Sequence, residues 1–229
     1  MWYWFLKFAV VGPVLKLAYA PRWLGKENLP RSGGYVLAAN HTGVIETAIV
    51  PFGVRRRVTF VAKSKYYRGS GAKGRLLAWF LKAIGQVPIE PASAEAAQPA
   101  LDAAREILRR GDVWGIFPEG TRSPDGRMYR GRTGAMRVAL PMGVPVIPAA
   151  VSGAHGSGPR WTWGKGKSQR ITVTYLPPLD TSPWVGREDD PVAWREATEA
   201  LMARIREVTG QEYADRYPTR EELHARDGQ

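Results

Sequence analysis

Ser32-Gly33-Gly34-Tyr35-Val36-Leu37-Ala38-Ala39-Asn40-His41 is the stretch from which the rest of the chain is read. Five apolar residues follow a glycine-rich turn signal without polar alternation, so Tyr35–Ala39 reads as a strand buried on both faces. The strand runs out on Asn40 and His41, two side chains able to do chemistry. Outward from it, short apolar runs at 57–62, 87–89, 113–117, 144–151 and 171–176 repeat the strand signal. A helix is expected from about Gly43, and helical spacing marks 74–84, 99–110 and 134–140. Asp190-Pro191 opens a further helix in which Val192, Ala197, Leu201, Ile205 and Val208 recur, with Gly210 at its stop. Pro145 and Pro148 are expected at strand ends or on a sheet edge, because proline cannot donate to a ladder. Strands alternating with helices imply an α/β fold with a mostly parallel central sheet flanked by helices.

No repeat and no linker divides the chain. The reading is an N-terminal segment at 1–20, one domain at 21–216, and a charged tail at 217–229 expected to be frayed and flexible. The 229 residues allow one well-buried core, and 44% hydrophobic with 24% charged residues is ordinary for a globular protein. The absence of cysteine excludes disulfides and thiolate metal sites. A net charge of +12 with nine tryptophans fits an anionic membrane surface and, taken alone, nucleic acid. The basic residues are scattered and no recognition motif is present, which sets nucleic acid aside.

The first twenty residues are apolar but are interrupted by Lys7, Lys16 and Gly12-Pro13. That is too broken for a spanning helix, which needs roughly 20 mainly apolar residues. The basic start of a signal peptide is missing. The reading of 1–20 is a membrane-interfacial anchor with Trp2, Tyr3, Trp4 and Phe5 at headgroup depth; the alternative is a helix packed on the domain's own core.

Two motifs carry chemistry. In Asn40-His41-Thr42-Gly43-Val44-Ile45-Glu46, a neutral imidazole is able to accept a proton from an attacking hydroxyl, and a carboxylate on its other nitrogen would fix the tautomer. Residues five apart on one helix point about 140° apart. The pair therefore meets only if His41 lies on the loop before the helix and Glu46 in its first turn; otherwise both are unconnected surface or cap residues. In Phe117-Pro118-Glu119-Gly120-Thr121-Arg122-Ser123, a tight turn after a strand offers hydroxyls and a guanidinium fork suited to phosphate. Read alone, it is also compatible with a solvated loop. The Gly115–Gly120 region lacks Gly-Lys-Ser/Thr, so a nucleotide P-loop is excluded.

Taken in order, these motifs resemble the lysophosphatidate acyltransferase family of glycerolipid acyltransferases. That family shows Asn-His-x4-Asp after a strand, then Phe-Pro-Glu-Gly-Thr-Arg-Ser, then a strand like Val144-Pro-Val-Ile-Pro148, and Ala62-Lys63 is similar to its Ala-Lys after the second strand. The resemblance covers roughly 20–180. It implies a membrane-associated O-acyltransferase that moves a fatty acyl group from acyl-CoA or acyl carrier protein to the hydroxyl of lysophosphatidate or a related lyso-lipid. His41 would be the general base and Glu46 its orienter. Lys63, Glu119, Gly120, Thr121 and Arg122 would bind the acceptor and its phosphate. No metal and no cofactor are implied, and the expected location is the cytoplasmic face of the membrane, peripheral or monotopic.

Two positions depart from the family pattern. Glu46 replaces aspartate. In Gly85-Gln-Val-Pro-Ile-Glu-Pro91, proline stands where the family has an acceptor-binding arginine, which leaves room for a different acceptor held through Lys63, Lys65 and Arg122, or for a catalytically lapsed lipid-binding protein. His155 is read as a surface residue. Arg55-Arg56-Arg57 reads as a solvated edge, and the aromatic and basic 161–167 as a lid or a solvated loop.

Overall fold

The computed structural model describes residues 2–63, 86–89, 97–159 and 170–227. The expected helix at 74–84, the 161–167 loop, Lys65 and Pro91 lie outside the described residues. The main sheet contains seven strands: β1 (Arg22–Leu24), β2 (Tyr35–Ala39), β3 (Val58–Lys63), β4 (Gln86–Ile89), β5 (Val113–Ile116), β7 (Val146–Ser152) and β8 (Thr172–Tyr175). A short separate pair joins β6 (Met128–Tyr129) to β9 (Tyr213–Ala214). The sheet order is β1-β8-β7-β2-β5-β3-β4. β7, β2, β5, β3 and β4 run parallel, β8 is antiparallel to β7, and β1 is parallel to β8. A mostly parallel sheet is what the alternating strands and helices imply.

β2 is the reason for two cores. All five of its residues are buried. Val36 and Ala38 face one layer, packing with Leu101 and Leu108 of α4 (Ala97–Arg109), Met136 of α5 (Met136–Met142), and Leu201 and Ile205 of α6 (Pro191–Thr209). Tyr35, Leu37 and Ala39 face the other, against Leu15 of α2 (Gly12–Tyr19) and Ile49 and Val50 of α3 (Glu46–Phe52). A strand covered on both sides has no use for polar alternation, which is why the run is apolar throughout.

Two helices refine the reading. α3 starts at Glu46 rather than at Gly43. α6 is capped by the Asp190 carboxylate, which accepts from Val192 N at 2.8 Å, and it stops at Gly210. Its buried stripe is Ala193, Ala197, Leu201 and Ile205, whereas Val192 and Val208, in the terminal turns, are exposed.

Pro148 is a correction. It lies inside β7, opposite Ala38 of β2, and not at a strand end or sheet edge. In a strand, the N and C=O of one residue point the same way, and the Pro148 carbonyl accepts from Leu176 N at 2.9 Å. The missing N–H therefore points to the β8 side just beyond the ladder, whose last pair is Ala149 with Tyr175. Leu176 is the residue opposite, so proline forfeits only the reciprocal bond to the Leu176 carbonyl at this terminal pair.

The N-terminal segment is α1 (Trp2–Phe5), a π-helical stretch at Leu6–Val11, and α2. Part of this segment follows the packed-helix alternative. One face packs on the domain: Leu15 and Ala18 are buried, and Lys7 is buried with Nζ donating to the carbonyls of Pro51 (2.8 Å) and Val54 (2.5 Å) at the end of α3. Burial pushes the Lys7 ammonium down to about 8. The opposite face leaves Trp4, Phe5, Phe8, Val14 and Leu17 exposed. Tyr3 is turned to the domain, its hydroxyl accepting from Val58 N at 3.4 Å. The Trp2 side chain lies outside the described residues. Among the described residues no helix is long and apolar enough to cross a membrane.

At 217–229, where a frayed tail is expected, residues Arg220–Asp227 form helix α7. Thr219 and Glu222 make a reciprocal capping box, Thr219 N to Glu222 Oε2 at 2.7 Å and Glu222 N to Thr219 Oγ1 at 3.2 Å. Thr-x-x-Glu was the signal for this helix, hidden among the charges around it.

Candidate active site

The parallel strands end on one edge of the sheet, and the turns leaving β2 and β5 meet there. Asn40 extends β2 by side chain instead of backbone. Its Oδ1 accepts from Val151 N at 2.7 Å and its Nδ2 donates to Val151 O at 2.9 Å, in place of the next rung on β7. His41 follows on the loop, and Glu46 is the first residue of α3, fully buried. The condition set by the spacing is met: His41 Nδ1 and Glu46 Oε2 are 2.7 Å apart.

Glu46 is further fixed by Thr42, whose backbone N–H lies 3.0 and 2.9 Å from the two carboxylate oxygens and whose hydroxyl donates to Oε1 at 2.7 Å. A carboxylate on Nδ1 selects the tautomer with its proton there, which leaves the Nε2 lone pair as the base. The imidazole is 12% exposed. It stacks on Phe117, ring centres 4.0 Å apart, and Phe117 in turn stacks on Phe60 at 5.2 Å. The stack needs Gly115 in β5, because a Cβ there would lie 2.5 Å from the Phe60 ring.

The 117–123 segment starts with a turn closed by Gly120 N to Phe117 O at 2.9 Å. Gly120 has φ +74°, and a Cβ on it would also meet Arg132 Nε at 2.8 Å, so only glycine fits. Glu119 is buried beneath the turn. One oxygen accepts from His41 N at 2.9 Å and the other from Tyr129 N at 2.9 Å. Burial raises its carboxyl to about 7, with the two backbone N–H groups opposing the rise and the Glu46 charge adding to it. Ser123 donates its N–H to His41 O at 2.7 Å, and its hydroxyl closes the next turn by accepting from Gly126 N at 2.9 Å. The Glu119 and Ser123 contacts therefore hold both ends of the His41 peptide unit.

His41, Glu46, Glu119, Gly120, Thr121 and Arg122 are thus brought to one place. Lys63 is the last residue of β3, and its side chain lies outside the described residues. Glu119 sits differently from its expected place on the acceptor, since both oxygens are engaged by main chain. Thr121 and Arg122 are half-buried at the turn surface. His155 is exposed and lies over Gly126, 3.0 Å from where a Cβ would be.

Three contributors were not read from the sequence. Thr42 and Phe117 carry the signal of adjacency to the motif residues. Gln211 carries none: its Oε1 accepts from Asn40 Nδ2 at 2.8 Å and its Nε2 donates to Gly126 O at 2.7 Å, tying the two turns together.

The sequence profile of the family described as Acyltransferase matches residues 21–152. The 1-acyl-sn-glycerol-3-phosphate acyltransferase of Bacillus subtilis (strain 168) is 28% identical over 200 residues, covering 85% of this chain and 91% of that protein. The protein of the same name from Limnanthes alba is 38% identical over 104 residues, covering 43% of this chain and 35% of its own length. Among solved structures, the 1-acyl-sn-glycerophosphate (LPA) acyltransferase PlsC from Thermotoga maritima has the same fold, with a TM-score of 0.61 at 22% identity over 88% of this chain and 80% of that one. With the profile spanning more than half of its length and enclosing both motifs, this chain belongs to the acyltransferase family, the family of the 1-acyl-sn-glycerol-3-phosphate acyltransferases.

Proposed function

We propose that this acyltransferase moves a fatty acyl group from an acyl thioester, acyl-CoA or acyl carrier protein, to the hydroxyl of lysophosphatidate or a related lyso-lipid. The observation that carries the reading is the 2.7 Å contact of His41 Nδ1 with the buried Glu46 carboxylate. Nε2 takes the proton of the acceptor hydroxyl as its oxygen attacks the thioester carbonyl. Glu46 stabilises the imidazolium that forms. The tetrahedral intermediate collapses, the C–S bond breaks, and the thiolate recovers the proton from Nε2. Atoms and charge balance without a metal or an organic cofactor. Glu119 acts as a positioning residue, holding the His41 main chain, while Thr121 and Arg122 receive the acceptor headgroup beside the Gly120 turn, with Lys63 as a further cation.

The acceptor reaches the site at a membrane surface. Trp4, Phe5, Phe8, Val14 and Leu17 form the exposed apolar face of the N-terminal helices, and the net charge of +12 favours an anionic leaflet, as on the cytoplasmic side. Val44, 63% exposed, adds an apolar residue on the loop between the base and its carboxylate.

The test is acyl transfer by the purified chain in anionic vesicles, with acyl-CoA and acyl carrier protein donors and a panel of lyso-lipids. His41→Ala should lose about 10² to 10⁴-fold or more in rate with little change in melting temperature. Retained turnover in that variant removes His41 from the mechanism. No transfer by the wild-type chain from either donor would leave a lipid-binding protein.

A further inference from the structure

Helix α3 carries Glu46 at its first position and is too short to hold itself in place. Its seven residues include Pro51, which removes one of the few internal hydrogen bonds open to a helix of this length. The end far from Glu46 is held instead by side chains from three other parts of the chain. Three of its last four carbonyls accept such a donor: Ile49 from Trp23 Nε1 of β1 at 2.9 Å, Val50 from the Tyr175 hydroxyl of β8 at 2.6 Å, and Pro51 from Lys7 Nζ at 2.8 Å. Lys7 also reaches the Val54 carbonyl, just past the helix end. Gly53 lies between two of the donors, and a Cβ there would be 2.3 Å from both the Trp23 ring and the Tyr175 hydroxyl. The N-terminal side is as close: a Cβ on Gly12 would lie 2.6 Å from the Phe52 ring.

Of the three donors, Lys7 is the one whose burial needs a reason. It belongs to the π-helical Leu6–Val11 stretch, an uncommon geometry that often marks a functional position. Lysine is rarely taken out of water, yet Lys7 is 6% exposed, with the rings of Tyr3, Trp4, Phe8 and Phe52 centred 5.4 to 5.9 Å from its ammonium. An apolar side chain would seat this segment on the domain at a lower desolvation cost. What the ammonium adds is a cation and donors at the negative end of α3. We propose that Lys7, together with Trp23 and Tyr175, is a positioning residue for the His41–Glu46 pair, holding α3 by its carbonyl end so that the carboxylate at the other end stays on the imidazole. The inference rests on the reading above in which that pair does the chemistry. A helix of about two turns carries a shift at Pro51 to Glu46 with little damping, and misplacing a catalytic group by about 1 Å can cost about 10²-fold in rate. The N-terminal segment is then part of the catalytic apparatus and not a detachable anchor.

The experiment compares the full wild-type chain with Lys7→Met, which keeps the apolar stem of the side chain and loses its donors. Two readouts are taken. One is the kinetics of acyl transfer from acyl-CoA to 1-oleoyl-lysophosphatidate in anionic vesicles. The other is the nuclear magnetic resonance signal of the His41 Nδ1–H proton in histidine-labelled protein, which has only three histidines to assign. A proton held between an imidazole and a buried carboxylate resonates downfield and exchanges slowly with water. Lys7→Met should lower kcat about tenfold to a hundredfold, leave KM for the acyl donor within about twofold, and shift or broaden that signal. Tyr175→Phe removes one hydroxyl from the same end of α3 and should act the same way in smaller measure. Leu201→Ala, in the opposite core layer, should lower the melting temperature and keep both kcat and the signal. Wild-type kcat and signal in Lys7→Met overturn the inference; should that variant fail to fold, the same result in Tyr175→Phe overturns it. Loss of the signal in Leu201→Ala does so too, as does a fall in turnover that added vesicles restore while the signal stays in place. If the wild-type chain acylates lysophosphatidate and Lys7→Met is unaltered, the reaction stands and the positioning role falls. If no lyso-lipid is acylated yet Lys7→Met still moves the His41 proton, the reaction falls and the positioning role stands.

Discussion

The turns leaving β2 and β5 each bury a glutamate, and the two carboxylates hold different parts of the same histidine. Glu46 receives the imidazole Nδ1 and the Thr42 N–H and hydroxyl. Glu119 receives two backbone N–H groups, those of His41 and Tyr129, and touches no side-chain donor among the described hydrogen bonds. One carboxylate sets the tautomer and orientation of the imidazole; the other sets where that ring's backbone lies. Burial of an acid near a histidine does not by itself assign it to the chemistry. What it hydrogen-bonds decides.

Exchanging each carboxylate for an amide should separate the roles. In Glu46→Gln, either the imidazole or the Thr42 N–H faces an amide N–H, so the tautomer is no longer secured. We expect a fall in kcat of about 10²-fold, smaller than for loss of the base, with little change in melting temperature. Glu119→Gln instead opposes an amide N–H to a buried backbone N–H. Denaturant unfolding should show a loss of about 1–3 kcal/mol, with a smaller drop in rate. If Glu119→Gln abolishes turnover without loss of stability, the carboxylate belongs with the chemistry and the comparison collapses.

The pH dependence of folding sharpens the same contrast. The Glu119 carboxyl is raised from its ordinary value to about 7 by burial, so between those values the folded chain holds a proton that the unfolded chain has released. Its contribution to stability is full below the ordinary carboxylate range and is lost as pH rises through about 7. The slope is at most ~1.4 kcal/mol per pH unit for one proton. The other shifted groups act elsewhere: Lys7, lowered to about 8, and the raised tyrosines above this window, and the lowered carboxyls of Asp125, Asp180, Glu188, Asp190 and Glu222 below it. Urea midpoints of the wild-type chain and Glu119→Gln, taken from pH 5 to 7.5, should therefore converge as pH rises. Parallel curves would mean that Glu119 does not titrate in this range.

How much of this was legible depended on how local each cause is. Tyr35–Ala39 announced a doubly covered strand because burial on both faces leaves its mark in every residue. The tight turn at Gly120 was legible because a positive φ asks for glycine. The His41–Glu46 contact was legible only as a condition, since a five-residue spacing points the wrong way on a helix and the helix start had to fall at Glu46. The place of Glu119 was hidden because it depends on β2 and β5 being neighbours, with Ala38 opposite Ile116, so that the turns after them meet. Pro148 was misplaced because the position at which a missing N–H costs a single terminal bond depends on where the β7–β8 ladder ends. The C-terminal helix was lost among charges, although the Thr219–Glu222 cap had the right spacing.

Gln211 is the smallest effect and the finest probe of the comparison, because it joins the two turns directly. Its side-chain amide uses the oxygen on Asn40, in the turn that bears His41, and the nitrogen on Gly126, in the loop beyond Glu119. Gln211→Ala leaves Asn40 with its two contacts to Val151 and the Gly126 carbonyl at a half-exposed position, open to water. Stability should therefore fall by only about 1 kcal/mol. If the two turns need only be near each other, kcat should change no more than twofold. If the base must be held against the acceptor turn, kcat should fall several-fold while KM for the acyl donor stays put. Gln211→Glu discriminates further: it keeps the acceptor for Asn40 and sets a carboxylate against the Gly126 carbonyl, so only the link to the β5 side is broken. Equal rates for the alanine and glutamate variants would place the useful contact at Gly126. A glutamate variant as active as wild type would place it at Asn40, and the turn after β2 would then be held independently of the one after β5.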